Sequence, residues 1–327
     1  VTFLTLAALP AQAAKPPAGQ PARLGVFRCH DGPAEATTWA GCRRGLAAAG
    51  LQVETIERCA DGDTSRALAQ LAELRQRGCQ VILALGTEAA LLAKAHAPDV
   101  PVVFAAVPNA VAAGLVTDWQ APGGRCGGAS SFVPPRAVLD TFRHAVPQLR
   151  RLGVLRAATA GTVSAAEVAT LRQELARGAA PPVTLHESLA SDAADLPRAI
   201  AALREAAVDA IWLPIDRLVE QHVGVVQREL GPRPCPLLTT SDAILGQGAA
   251  VVGVSVDFDL HGRRVAARLL ATLRDGESPG ERPVDRLQSH RVGVDLAAAR
   301  RAGLELPLSL LLLADELRHG EGQDGKH

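Results

Sequence analysis

The chain has 327 residues, 48% of them hydrophobic and 21% charged, a composition suited to burying apolar cores. Its 34 basic and 34 acidic residues cancel, which leaves no excess charge to hold a polyanion and argues against nucleic acid as a partner. With domains running to roughly 100–200 residues each, the length predicts two of them.

The first residues read as an export signal. An apolar run from Val1 to Leu9 is followed by Pro10, a cleavage-like Ala11-Gln12-Ala13 and a Pro/Ala/Gly linker. No other segment holds about 18 uninterrupted apolar residues, so no membrane span is predicted. Beyond the linker, short apolar runs alternate with helical patterns. Strands are predicted over Arg23–Cys29, Gln52–Cys59, Val81–Leu85 and Val102–Val107, with helices over Pro33–Gly50, Asp63–Gly78 and Glu88–Ala97 between them. The runs Val81–Leu85 and Val102–Val107 are apolar at every position, the pattern of parallel strands covered on both faces. A Gly/Ser-rich break follows around Pro122-Gly123-Gly124.

The alternation then resumes. Helices are predicted over Pro134–Ala145, Ser164–Arg177, Leu196–Ala207 and Leu218–Leu230, and strands over Arg151–Leu155, Val183–Leu189, Ala210–Pro214 and Pro236–Thr240. Val251–Val256 reads as a strand, Asp259–Leu273 as a long helix, Arg291–Val294 as a short strand and Leu310–Leu317 as a helix, before a polar tail. Strand–helix alternation of this kind implies right-handed crossovers and parallel sheets. The fold class is therefore α/β with two lobes, each a parallel-sheet α/β sandwich, and a ligand cleft between.

In open parallel sheets, ligands bind beyond the carboxyl ends of the strands. The residues there are the site candidates. Gly86 and Thr87 follow one buried strand, where Thr87 is expected to cap the next helix and the free N–H groups to receive an anion. Asn109 follows the next strand and can donate and accept without charge. His30, with Asp31, follows the first strand. Ser130 and Ser131 lie at the crossing to the second lobe. In that lobe Asp216 is the candidate partner for an ammonium group, and Thr240, Ser241 and Asp242 hold the equivalent position on the next strand. Helix capping or turn formation is the competing role for each of these.

An enzyme needs a nucleophile, base or metal with partners. The sequence has no G-x-S-x-G, H-E-x-x-H, P-loop or G-x-G-x-x-G after the first strand, so no catalytic residue, cofactor or metal site is expected. His261, near Asp257 and Asp259, is a weak metal candidate that a structural histidine explains better. Six cysteines suit an exported protein, and Cys29 and Cys59, each ending a predicted strand, are a candidate disulfide.

Four stretches carry a family resemblance: Gly45–Gly50; GTEAALLAKAHAPDVPVVFAAVPNAVAAGLV at Gly86–Val116; Pro122-Gly123-Gly124 leading to Ser130; and VGVDLAAARRAGLELPLSLLLLADEL at Val292–Leu317. In order and spacing the chain resembles ABC-transporter substrate-binding proteins of the tryptophan/tyrosine-type group, which have the type I periplasmic binding protein fold. The resemblance implies an exported, periplasmic or extracytoplasmic monomer. It would capture a small organic solute, an amino acid or related metabolite, by hinge closure and present it to an ABC permease in the inner membrane. A periplasmic sensor subunit with the same fold is the alternative. The chain departs from the family in two places. Asn109-Ala110 stands where relatives carry Asp-Pro, and Arg125-Cys126-Gly127-Gly128 where they carry Asn-Val-Thr-Gly. The chain also has no Tyr and only 3% aromatic residues. The expected division is a signal and linker over 1–21, lobe one over 22–130 plus 250–280, lobe two over 131–249 plus 281–318, and a disordered tail over 319–327.

Overall fold

The computed structural model describes residues 21–159, 162–178, 181–231, 235–287 and 289–319. The expected signal segment, to residue 20, and the tail from residue 320 lie outside the described residues.

In chain order the elements are β1 (Ala22–Arg28), α1 (Pro33–Ala48), β2 (Val53–Cys59), α2 (Thr64–Gln76), β3 (Val81–Leu85), α3 (Thr87–His96), β4 (Val102–Val107) and β5 (Cys126–Ser130). Next come α4 (Pro135–Ala145), β6 (Arg151–Ala157), α5 (Val163–Ala176), β7 (Thr184–Ala190), α6 (Leu196–Glu205) and β8 (Ala210–Leu213). They are followed by α7 (Arg217–Gln221), α8 (Val223–Leu230), β9 (Leu237–Thr239), α9 (Asp242–Gly246), β10 (Val252–Ser255) and α10 (Phe258–Asp275). The chain closes with β11 (Asp285–Arg286), β12 (Arg291–Asp295), α11 (Leu296–Arg301), α12 (Leu308–Leu313) and β13 (Glu316–Arg318).

Two compact units result. Of the described residues, one unit holds those up to Ser131 together with Phe258–Leu287, the other Phe132–Asp257 together with those from 289 onward. The first unit carries a six-stranded sheet in the order β11-β5-β4-β3-β1-β2, parallel throughout. The second carries seven strands in the order β13-β12-β10-β9-β8-β6-β7, parallel except where β12 runs antiparallel to β10. The segment 250–280, expected in the first lobe, is therefore split. Its strand β10 pairs with β9 and β12 in the second sheet, and its helix α10 belongs to the first unit. Likewise Asp285–Arg286, expected in the second lobe, pairs with β5 as an edge strand of the first sheet.

The uniformly apolar strands are explained by cores on both faces of each sheet. Leu24 and Val26 of β1 join one cluster and Phe27 the other; Leu83 and Ile82 of β3 divide in the same way. In the second unit, Trp212 faces one cluster while Ile211 and Leu213 face the other. Side chains that alternate between two dry faces need no polar position, which is why period-2 patterning is missing from these runs.

Three local corrections have physical reasons. The Gly/Ser-rich stretch read as a break contains β5, fully buried between β4 and β11. Its sequence CGGAS lacks β-branched residues because β4 lies too close, and a Cβ on Gly128 would stand 2.1 Å from the Phe104 carbonyl oxygen. The helix expected over Leu218–Leu230 is two helices, broken at His222, whose φ of −123° is not helical. The helix expected to Leu317 stops at Leu313, and Glu316–Arg318 pairs with β12 instead.

The cysteines form no disulfide. The parallel register sets Cys59 opposite Arg28, so Cys29, one residue further, points to the other face of the sheet and into the core with Phe27. Burial pushes the Cys42 thiol up to about 12 and those of Cys79, Cys126 and Cys235 up to about 11. We expect alkylation of the folded protein near neutral pH to be confined to the half-buried Cys59 and Cys235. All six cysteines should label after unfolding without reductant, as read by intact mass. Four labels in that second sample would reveal a disulfide and contradict the structure.

Candidate functional site

Each sheet sets its candidate residues at the carboxyl ends of its strands. In the first unit, β3 ends at Leu85 and the chain turns through Gly86 into α3. Gly86 is the N-cap, with φ at 90°, and as a glycine it offers the helix no side-chain cap of its own. Thr87, expected to be the cap, is instead the first helical residue. A β-carbon at position 86 would be strained by that φ and would stand 3.1 Å from Glu35 Oε1. A helix N-terminus presents backbone N–H groups and the positive end of the helix dipole.

Carboxylates surround the same corner. Glu35, in the first turn of α1, lies against the Gly86 backbone. Glu88, the second residue of α3, accepts from His30, with Oε2 and Nε2 3.0 Å apart. Glu35 was not among the residues picked from sequence. Its place at the third helical position, three residues after Gly32, is the Glu half of a capping box, but Gly32 lacks the side chain that would complete the signal.

At the next strand end, β4 carries a bulge between Phe104 and Val107, where Ala106 takes a φ of 54°. The N–H of Ala106 donates to Nε2 of buried His261 at 3.1 Å. Burial lowers the His261 pKa to about 4, so the ring is a neutral acceptor. Asp259 meanwhile pairs with Arg44 and Arg263. Asn109 Oδ1 accepts from the Ala112 N–H at 3.0 Å, the loop-forming role. Ser130 Oγ lies 2.7 Å from the Val107 carbonyl and 3.0 Å from that of Pro108, so its one proton is committed to the bulge. Ser131 donates its N–H to the Val107 carbonyl at 2.9 Å.

In the second unit, Asp216 is buried and caps α7. Its Oδ2 accepts from the Ala157 N–H at 2.9 Å and from Ser164 Oγ at 2.8 Å, and its Oδ1 accepts from the Val219 N–H at 3.3 Å. Both oxygens are thus used inside the unit, joining the end of β6 and the starts of α5 and α7. Thr240 Oγ1 accepts from Trp212 Nε1 at 3.3 Å, and Ser241 caps α9 while donating to Glu220 Oε1 at 2.6 Å. Burial raises the Asp242 pKa, against a hydrogen bond from Ser255 and the charges of Arg291 and Arg318.

Two further acids complete this edge, neither singled out from sequence. Glu167, partly buried on α5, accepts from the Ile215 N–H at 2.8 Å. Burial, with Glu220 and Asp216 nearby, pushes it up to about 7, although the Ile215 N–H and the Thr240 hydroxyl favour its charged form. Glu220 is raised as well, mainly by burial. Their helical spacing carries no signal of this convergence, which depends on the starts of α5 and α7 meeting the end of β9.

The comparisons with known proteins bear on this arrangement. Residues 23–318 match the ABC transporter substrate binding protein family. The chain belongs to that family. A relative, the tyrosine-binding protein of Clostridioides difficile (strain R20291), is 24% identical over 212 residues, covering 65% of this chain and 59% of the relative's length. The crystal structure of an ABC domain in complex with L-Trp from Streptococcus pneumoniae superposes with a TM-score of 0.79 at 21% identity, covering 91% of this chain and 100% of that one. A conserved domain protein from Vibrio cholerae superposes equally, with a TM-score of 0.79 at 23% identity over 91% and 100% of the two chains. These likenesses establish the fold as that of type I periplasmic binding proteins, in a family of binding proteins and not of enzymes. Among the described residues, no helix is long and apolar enough to cross a membrane.

Proposed function

We propose that this protein is the extracytoplasmic solute-binding component of an ABC importer. It captures an amino acid or close relative through a hinge equilibrium that the ligand shifts, and delivers it to a permease in the inner membrane. The observation that carries the reading is the corner at the ends of β1 and β3. There the N-terminus of α3 at Gly86–Thr87, whose N-cap is a glycine, lies beside the carboxylates of Glu35 and Glu88. Donors and carboxylates side by side are what a zwitterion needs, its carboxylate on the N–H groups of α3 and its ammonium on the acids. These acids take over the role that Asn109 has given up. Asp216 accepts three hydrogen bonds inside its own unit, the role of a brace. Relatives whose names record tyrosine and L-Trp support an amino acid as the ligand class.

Calorimetric titration with L-tyrosine, L-tryptophan and a panel of aliphatic amino acids tests this. Thr87→Val removes one hydroxyl donor from the anion corner, and we expect it to weaken the ligand that binds by about tenfold, the loss of one hydrogen bond to a charged group. Unchanged affinity in that variant, or no heat with any zwitterion, contradicts the reading.

A further inference from the structure

The first unit contains a second feature, at the opposite ends of its strands. A cavity of about 250 Å³ opens at the starts of β4 and β5. Its polar lining is Lys94, Thr117 and Arg125, its floor includes Val102 and Leu115, and no carboxylate lines it. Arg125 and Cys126 stand where the family resemblance leads one to expect Asn-Val, so this chain has placed a guanidinium and a thiol in the cavity wall.

The donors there are incompletely used. Lys94 Nζ donates to the carbonyls of Gly114 at 3.0 Å and Leu115 at 2.9 Å, which fixes the ammonium in place and leaves one of its three hydrogens. Arg125 Nε is buried and has no hydrogen-bond partner among the described residues. A buried donor without a partner costs free energy, so the Arg125 side chain has bonding capacity still to be used. Asp99, on the loop before β4, is held by Arg75 at 2.7 Å and feels Arg125 only weakly. Cys126 is a neutral thiol, its pKa raised to about 11 by burial, and it would not repel an anion.

We propose that this cavity is a second binding site, distinct from the strand-end corner, and that it takes a small oxyanion such as inorganic phosphate. The Arg125 guanidinium and the third Lys94 hydrogen supply the charge-assisted bonds and Thr117 a neutral one. The site needs no change at the Gly86–Thr87 corner, so occupancy of the two is separable.

A ¹⁵N-resolved titration of the full chain with inorganic phosphate, at ionic strength held constant with sodium chloride, tests the assignment. The amides of Gly124, Arg125 and Cys126 should shift and saturate with a Kd in the millimolar range or tighter. Arg125→Gln should weaken binding about tenfold or more, and Arg125→Lys less. Should Arg125→Gln fail to fold, Thr117→Val provides the same comparison at another polar residue of the lining. Shifts confined to Thr87 and Glu88, shifts that do not saturate, or curves unchanged in folded Arg125 and Thr117 variants would overturn the proposal.

Discussion

Asp216→Ala should cost the second unit about 3–5 kcal/mol, because it removes one acceptor from three donors at once. The Ala157 N–H, the Ser164 hydroxyl and the Val219 N–H all point at this buried carboxylate, and alanine offers them nothing. Water can reach few of these groups, so most of the desolvation cost remains. In a unit of this size the loss corresponds to a fall of about 10 °C in its melting transition. Asp216→Asn should recover part of it, since the amide oxygen can serve one donor while its NH₂ opposes another. Calorimetry that resolves the unfolding of each unit is the measurement. A change in the second unit below about 1 kcal/mol, the size of an ordinary surface substitution effect, would show that the carboxylate is not the brace described.

The second large effect concerns pH. Glu167 has a folded pKa of about 7, above the unfolded value of a glutamate. Between these two values the folded state holds more protons than the unfolded state, so its contribution falls as pH rises. Stability that is present below about pH 4.5 should be lost progressively up to about pH 7, by as much as about 3 kcal/mol, and level off above that. Glu220 and Asp242 are raised in the same direction and add to the slope. Glu167→Gln keeps an oxygen for the Ile215 N–H and removes the proton. The variant should therefore be more stable than the parent at pH 8 and nearly equal to it at pH 5. The first unit should show the opposite slope. His261 is held neutral with a pKa of about 4, so protonation of the unfolded chain costs stability as pH falls from about 6.5 toward 4. Denaturant titrations of both proteins at pH 5 and pH 8 check the account. A Glu167→Gln variant less stable than the parent at pH 8 would contradict it.

How far the sequence disclosed the molecule depended on what each signal rests on. Val81–Leu85 and Val102–Val107 were read residue for residue, because a strand dry on both faces leaves an unmistakable apolar run. β5 was hidden, since its glycines serve the approach of β4 and erase the propensity that would have marked a strand. The allocation of β10 and β11 to sheets was also illegible, being decided by pairing partners far away in sequence.

The site divides in the same way. Gly86, Thr87 and Asn109 were visible because they follow legible strands. Glu35 and Glu167 matter through the tertiary placement of α1 and α5, and no local pattern for Glu167 reveals it. Asp216 was found with two roles open, an ammonium partner and a helix cap, and the structure shows the cap. A carboxylate at a strand end reads alike whether it faces a ligand or three backbone and hydroxyl donors.

The central claim, that the chain binds an amino-acid-like solute without transforming it, is tested most directly by native mass spectrometry of the gently purified protein, with release and identification of what it carries. The account predicts one unmodified zwitterionic molecule per chain, lost on mild denaturation and displaced by excess of the same compound. A chain that carries no zwitterion and takes up none from a pool of amino acids, or one that releases a chemically altered product, would contradict it.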